Sequence, residues 1–129
     1  MSTLRLTVER QVPLEQVYDV LTTAVEGGSG YWLFGEDVQP RSAQAIRNSD
    51  HDVTRIEFEV VVGSNDDGRR VVTPQKIVDA AQKVLDGRVQ VRPDLVDQIG
   101  TLGTGRFDID ADAADVLVQV AAFGEIVYG

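Results

Sequence analysis

The chain predicts a single α+β domain, residues 1–129, with a mainly antiparallel sheet of three to four strands packed with about three helices. Three observations carry this expectation. Apolar residues recur at three-and-four spacing in three separate segments, and in other segments they alternate with polar residues at period two. Strand and helix patterns do not alternate along the chain as a parallel sheet requires. A chain of 129 residues suits one hydrophobic core, and neither a repeat nor a linker divides it.

In order, 3-TLRLTVER-10 sets Leu4, Leu6 and Val8 on one face and predicts a half-buried strand. The first helix is expected over 14-LEQVYDVLTTAVE-26, with Pro13 at its start and Gly27 as a left-handed stop. The segment 31-YWLFGEDV-38 reads as a strand, although its aromatic residues do not alternate cleanly. From Gln39 to Thr54 the pattern is weak: 43-AQAI-46 fits a short strand and 48-NSDHD-52 a turn. Clear alternation returns in 55-RIEFEVVV-62, with Ile56, Phe58, Val60 and Val62 inward, and a hairpin tipped by Asp67-Gly68 leads to 69-RRVV-72.

Thr73 and Pro74 are a helix entrance, a hydroxyl cap followed by a residue that needs no amide donor. The helix 74-PQKIVDAAQKVLD-86 buries Ile77, Ala80, Ala81, Val84 and Leu85 and stops at Gly87. A strand-like 88-RVQV-91 and one or two helical turns at 94-DLVDQI-99 precede the flexible glycine-rich connection 100-GTLGTG-105. The last helix is 111-ADAADVLVQVAAF-123, ended by Gly124, and 125-EIVY-128 forms a terminal strand suited to pairing across a dimer axis.

Composition narrows the chemistry. No cysteine is present, which excludes disulfides, thiolate metal sites and cysteine nucleophiles. The longest apolar run, 60-VVV-62, is far short of a membrane span, and no signal peptide opens the chain, so a soluble protein of the bacterial cytoplasm is expected. A formal charge of −9, from 21 acids against 12 bases, disfavours non-specific nucleic-acid and anionic-membrane binding.

Motifs for catalysis fall short at their decisive positions. In 100-GTLGTGRF-107 the glycine spacing of a phosphate loop is met, but Arg106 and Phe107 replace the required lysine and hydroxyl. Asp108, Asp110 and Asp112 imitate a calcium loop, yet Ala113 and Gln119 stand where a turn glycine and a closing glutamate belong. His51 lies between Asp50 and Asp52 in a polar turn, and sequence neighbours seldom build a triad. No catalytic residue, metal ligand or cofactor is therefore expected. Arg69, Arg70 and Arg106 remain as candidate contacts for an anion.

Two carboxylates oppose the helix dipole. Glu26 lies in the last turn of the first helix and Glu125 just beyond the last, each at an end that disfavours negative charge by a few tenths to about 1 kcal/mol. Both are expected to have partners and to share a neighbourhood with nearby aromatic rings. Trp32, Phe34, Phe123 and Tyr128 fit one side of the core. Glu26, Gly27, Gly28, Tyr31, Trp32, Glu125 and Tyr128 are the candidate ligand or subunit-contact residues.

The motifs 26-EGGSGYW-32 and 114-ADVLVQVAAFGEIVYG-129, with a looser likeness through 73-TPQKIVDAAQKVLDG-87, resemble a family of small proteins from tailed bacteriophages and their actinobacterial hosts. The resemblance brings no catalytic residues. It implies a setting in which small acidic proteins bind host components, including defence proteins or their nucleotide signals. The leading expectation is a non-enzymatic, homo-oligomeric phage-type accessory protein that binds a host protein or a small ligand such as a nucleotide. A small metal-dependent hydrolase or nucleotide-processing enzyme using the clustered acids, and a virion or assembly component, are the alternatives.

Overall fold

A computed structural model describes residues 9–33, 38–62 and 68–129, with backbone alone for 38–43. Most of the strand expected at 3–10 lies outside the described residues, as do Phe34 and the hairpin tip at Asp67. Helix α1, Leu14–Thr23, runs into a π-helical turn, Ala24–Gly28, and then the one-turn α2, Gly30–Leu33. Strands β1 (Val38–Arg47), β2 (Val53–Val62) and β3 (Arg69–Val71) follow, then α3 (Pro74–Leu85), α4 (Pro93–Ile99) and α5 (Ala111–Phe123). The strands form an antiparallel sheet in chain order, with Val38 opposite Val62 and Val61 opposite Arg69. The α+β expectation is met.

Local chemistry explains these elements. On β2, Ile56, Phe58 and Val60 are buried at period two. β1 is longer than the expected 43–46 strand, and register shifts at Arg41/Gln44 and Ile46/Arg47 explain its weak pattern, because each bulge resets the alternation. The turn joining β1 to β2 is held by Asn48 Oδ1, which accepts from the amides of Asp50 and Asp52, while His51 takes a left-handed φ of 66°. The Thr73 hydroxyl caps α3 at the Lys76 amide, and Gly87, at φ +79°, closes it.

Three strand expectations are corrected. Residues 30–33 are helical: the Trp32 and Leu33 amides donate to Ser29 O, which buries Trp32 and Leu33 on one side and turns Tyr31 outward. Residues 88–91 form no strand, because the Arg88 and Val89 amides are used on Lys83 O at the end of α3. Residues 125–128 are an irregular tail, its Val127 and Tyr128 amides held by a side chain of α5. Leu85, expected in the core, is exposed on α3.

The core is built around α5. Every residue from Ala113 to Val120 is buried, as is Ala122, because α1, the π turn, α3, α4 and β3 all pack against this helix. An apolar surface all round is the mark of a central helix. Two polar side chains interrupt it, Asp115 and Gln119, one turn apart on the same face.

Candidate functional site

The chain between α1 and β1 and the C-terminal tail meet over that face of α5. The π turn makes this meeting possible. The Ser29 amide bonds Ala24 O across five residues at 2.8 Å, and the widened turn directs the Ser29 side chain at α5 instead of ending the helix at Gly27. Gly27 has no left-handed backbone, contrary to expectation; the left-handed glycines of the described chain are Gly87, Gly103, Gly124 and Gly129. The neighbouring Gly28 is required for contact, since a Cβ there would lie 2.0 Å from Ala111 O at the start of α5.

Asp115 is the centre of the cluster. Only 7% exposed, its carboxylate accepts from Ser29 Oγ at 2.8 Å, Trp32 Nε1 at 2.7 Å and the Tyr31 hydroxyl at 2.6 Å. Gln119 Nε2 lies 3.1 Å from both carboxylate oxygens. No cation pairs with Asp115 among the described residues; neutral donors alone replace water around it. Burying a charge without such donors costs several kcal/mol.

Gln119 transmits the arrangement to the tail. Its Oε1 accepts from the Val127 amide at 2.9 Å and the Tyr128 amide at 2.8 Å, and its Nε2 also reaches Tyr128 O at 3.2 Å. The Tyr128 ring stacks on Trp32 with centroids 4.9 Å apart and planes within 5°, and Phe123 closes the group edge-on to Tyr128. Loss of water around the Tyr31 hydroxyl, then its bond to Asp115, pushes the Tyr31 pKa up to about 12.

The sequence-predicted residues separate into two groups. Tyr31, Trp32 and Tyr128 come together as expected, with Phe123 packed beside Trp32. Glu26 and Glu125 do not: both are exposed, neither carboxylate makes a hydrogen bond or ion pair among the described residues, and they belong to opposite ends of α5. Gly28 packs on Ala111 at one end of that helix, whereas Glu125 follows its last turn, about 20 Å away at 1.5 Å per residue. The shared neighbourhood is therefore made by rings and by Asp115, not by the two glutamates. Water stabilises an exposed carboxylate well enough to accept the small dipole penalty.

The remaining candidates have separate structural uses. Arg69 pairs with Glu59 across β2 and β3, Arg70 donates to Arg69 O, and Arg106 is exposed on the loop before α5. Asp110 caps α5 at the Ala113 amide, which holds its carboxyl below the usual range, and accepts from Gln98 Nε2. Asp112 approaches Arg92, and Asp108 is exposed. Among the described residues no three His, Cys, Asp or Glu side chains converge as metal ligands. The loop 100–105 is not a free connection: the Gly103 amide donates to Gln16 Oε1 and Gln16 Nε2 donates to Thr104 O.

Ser29, Asp115 and Gln119 are not legible as site residues from spacing alone. The available signal is a carboxylate and an amide four residues apart in a helix whose other residues past Asp112 are all apolar. Comparison with protein-family models, with curated proteins and with solved structures finds no match.

Proposed function

We propose that this is a non-enzymatic binding protein of the phage accessory kind, which engages a host protein through the end of the molecule where the tail is fastened. One observation supports this reading above the others: Tyr31, Ile126 and Val127 are 59%, 40% and 50% exposed, while Asp115 accepts from the Tyr31 hydroxyl and Gln119 from the Val127 and Tyr128 amides. An apolar surface on an anchored segment loses little conformational freedom when it is covered, so most of its burial is available for affinity. The nucleotide version of the reading is weaker, because Trp32 is buried against Tyr128 and its faces are not open to a base.

The test is a paired purification from host extract with the intact protein and with an Ile126→Asp/Val127→Asp variant, at low and high salt. A protein retained by the first and lost by the second supports the proposal. Identical sets of retained proteins refute it. Sedimentation of the two purified proteins separates a second copy from a foreign partner, since a self-contact through this surface gives an oligomer that the variant dissolves.

A further inference from the structure

A groove of about 630 Å³ opens between α3, the end of α4 with its following turn, and the segment before α1. It shares no residue with the Asp115 cluster. Its lining is mixed: Val78, Ala81 and Leu85 of α3, Ile99 of α4 and Leu102 beyond it supply the apolar part, and Glu9, Arg10, Gln11 and Gln82 the polar part. Small-molecule sites span roughly 300–1,000 Å³ and combine such walls with a few fixed polar groups.

The fixed group here is Arg10. Its Nη1 donates to Gly100 O at 2.6 Å and to Leu102 O at 3.1 Å, so one corner of the guanidinium is tied to the loop. The loop is itself clamped by Gln16, and it runs so close to the segment before α1 that a Cβ on Gly103 would lie 3.1 Å from the Val12 side chain. Nε and Nη2 have no hydrogen-bond partner among the described residues. That unengaged edge of the planar fork matches a carboxylate, which takes two parallel N–H donors.

We propose that the groove binds a small amphipathic monocarboxylate, its apolar body on the α3 and α4 side chains and its carboxylate on Arg10. Charge sets the limit on the ligand. Glu9 lines the same groove and the whole chain carries −9, so one negative charge is matched by Arg10 and a second is repelled, which excludes di- and polyanions.

Calorimetric titration of the full chain with decanoate tests this, with decanol and decylammonium as probes that remove or invert the charge. The expected result is one-to-one decanoate binding, weakened about tenfold or more in Arg10→Gln and in Leu85→Glu, with both other probes weaker than decanoate. Leu85→Glu keeps the Arg10 side chain while placing a negative charge on the apolar side of the groove, and decides the matter where Arg10→Gln disturbs folding. Absence of saturable binding, binding of several equivalents, decylammonium binding as tightly as decanoate, or unchanged affinity in Leu85→Glu would each overturn the proposal.

Discussion

Replacing Asp115 by alanine removes the acceptor on which the interior of this protein is arranged. Two buried donors, Ser29 Oγ and Trp32 Nε1, bond to nothing else among the described residues, whereas the Tyr31 hydroxyl and the Gln119 amide both retain Tyr128 O. A stranded buried donor costs about 1–3 kcal/mol, so the two together destabilise by roughly 2–6 kcal/mol. Water entering the space left by the carboxylate lowers that figure, and relief from burying a charge lowers it further, giving an expected loss of about 3 kcal/mol. Asp115→Asn is milder. One amide oxygen still serves Ser29 and Trp32, but the new NH₂ opposes the Gln119 NH₂, and Gln119 cannot turn over without losing both tail amides, so the cost is about 1–2 kcal/mol. Urea unfolding followed by fluorescence measures both values, because Trp32 is the single tryptophan of the chain and sits in the cluster. An alanine variant within about 1 kcal/mol of the parent, with unshifted emission, refutes this organising role for Asp115.

Four further outcomes are expected. In an ultraviolet titration one tyrosine, Tyr31, ionises near pH 12, and Tyr31→Phe removes that late phase. Because the folded-state value is raised, the stabilisation it represents is complete below about pH 10 and is lost as pH rises through about 12, a window that alkaline melting curves locate. Asp110→Ala destabilises by about 0.5–2 kcal/mol through loss of the α5 cap, whereas Asp110→Asn retains the cap; the parent's contribution, present above the ordinary aspartate value, disappears as acid protonates the lowered group, and acid melting of the asparagine variant lacks that step. Gly28→Ala forces the π turn off α5 and costs about 1–3 kcal/mol in urea unfolding, while Gly27→Ala, whose Cβ meets nothing within 4 Å, is tolerated.

What the sequence made legible follows from how local each cause is. The α3 cap at Thr73, the Gly87 and Gly124 stops and the alternation of β2 depend on residues within a few positions of one another, and each is present. The expected strand at 31–38 fails because its first residues are placed by Ser29 O and by Asp115, more than eighty positions away. The stretch 88–91 has a strand's composition, but Lys83 O takes its amides. In β1, bulges remove the alternation that would have revealed it.

Glu26 and Glu125 mislead for the same reason. A charge that opposes a helix dipole is visible in one line of sequence, but the penalty is small and water removes most of it. A buried charge is far more expensive, and for that reason it recruits partners from several elements. Asp115 resembles one more acid in 108-DIDADAAD-115, although it differs from Asp108, Asp110 and Asp112 in lying past the first turn of a helix whose every other face is apolar. Position within the helix, not membership of an acidic run, decides which carboxylate organises the fold. Gln119, one turn later, then fixes the position of residues 127 and 128, because their two amides have a single acceptor to share and that acceptor cannot leave the core. The exposed Ile126 and Val127 thus owe their fixed position to a buried aspartate that touches neither, so Asp115→Asn should weaken any partner bound at the tail even while the surface itself keeps every residue. Titrating a captured partner against Asp115→Asn checks this: an affinity equal to the parent's would mean that the tail reaches its place without the core.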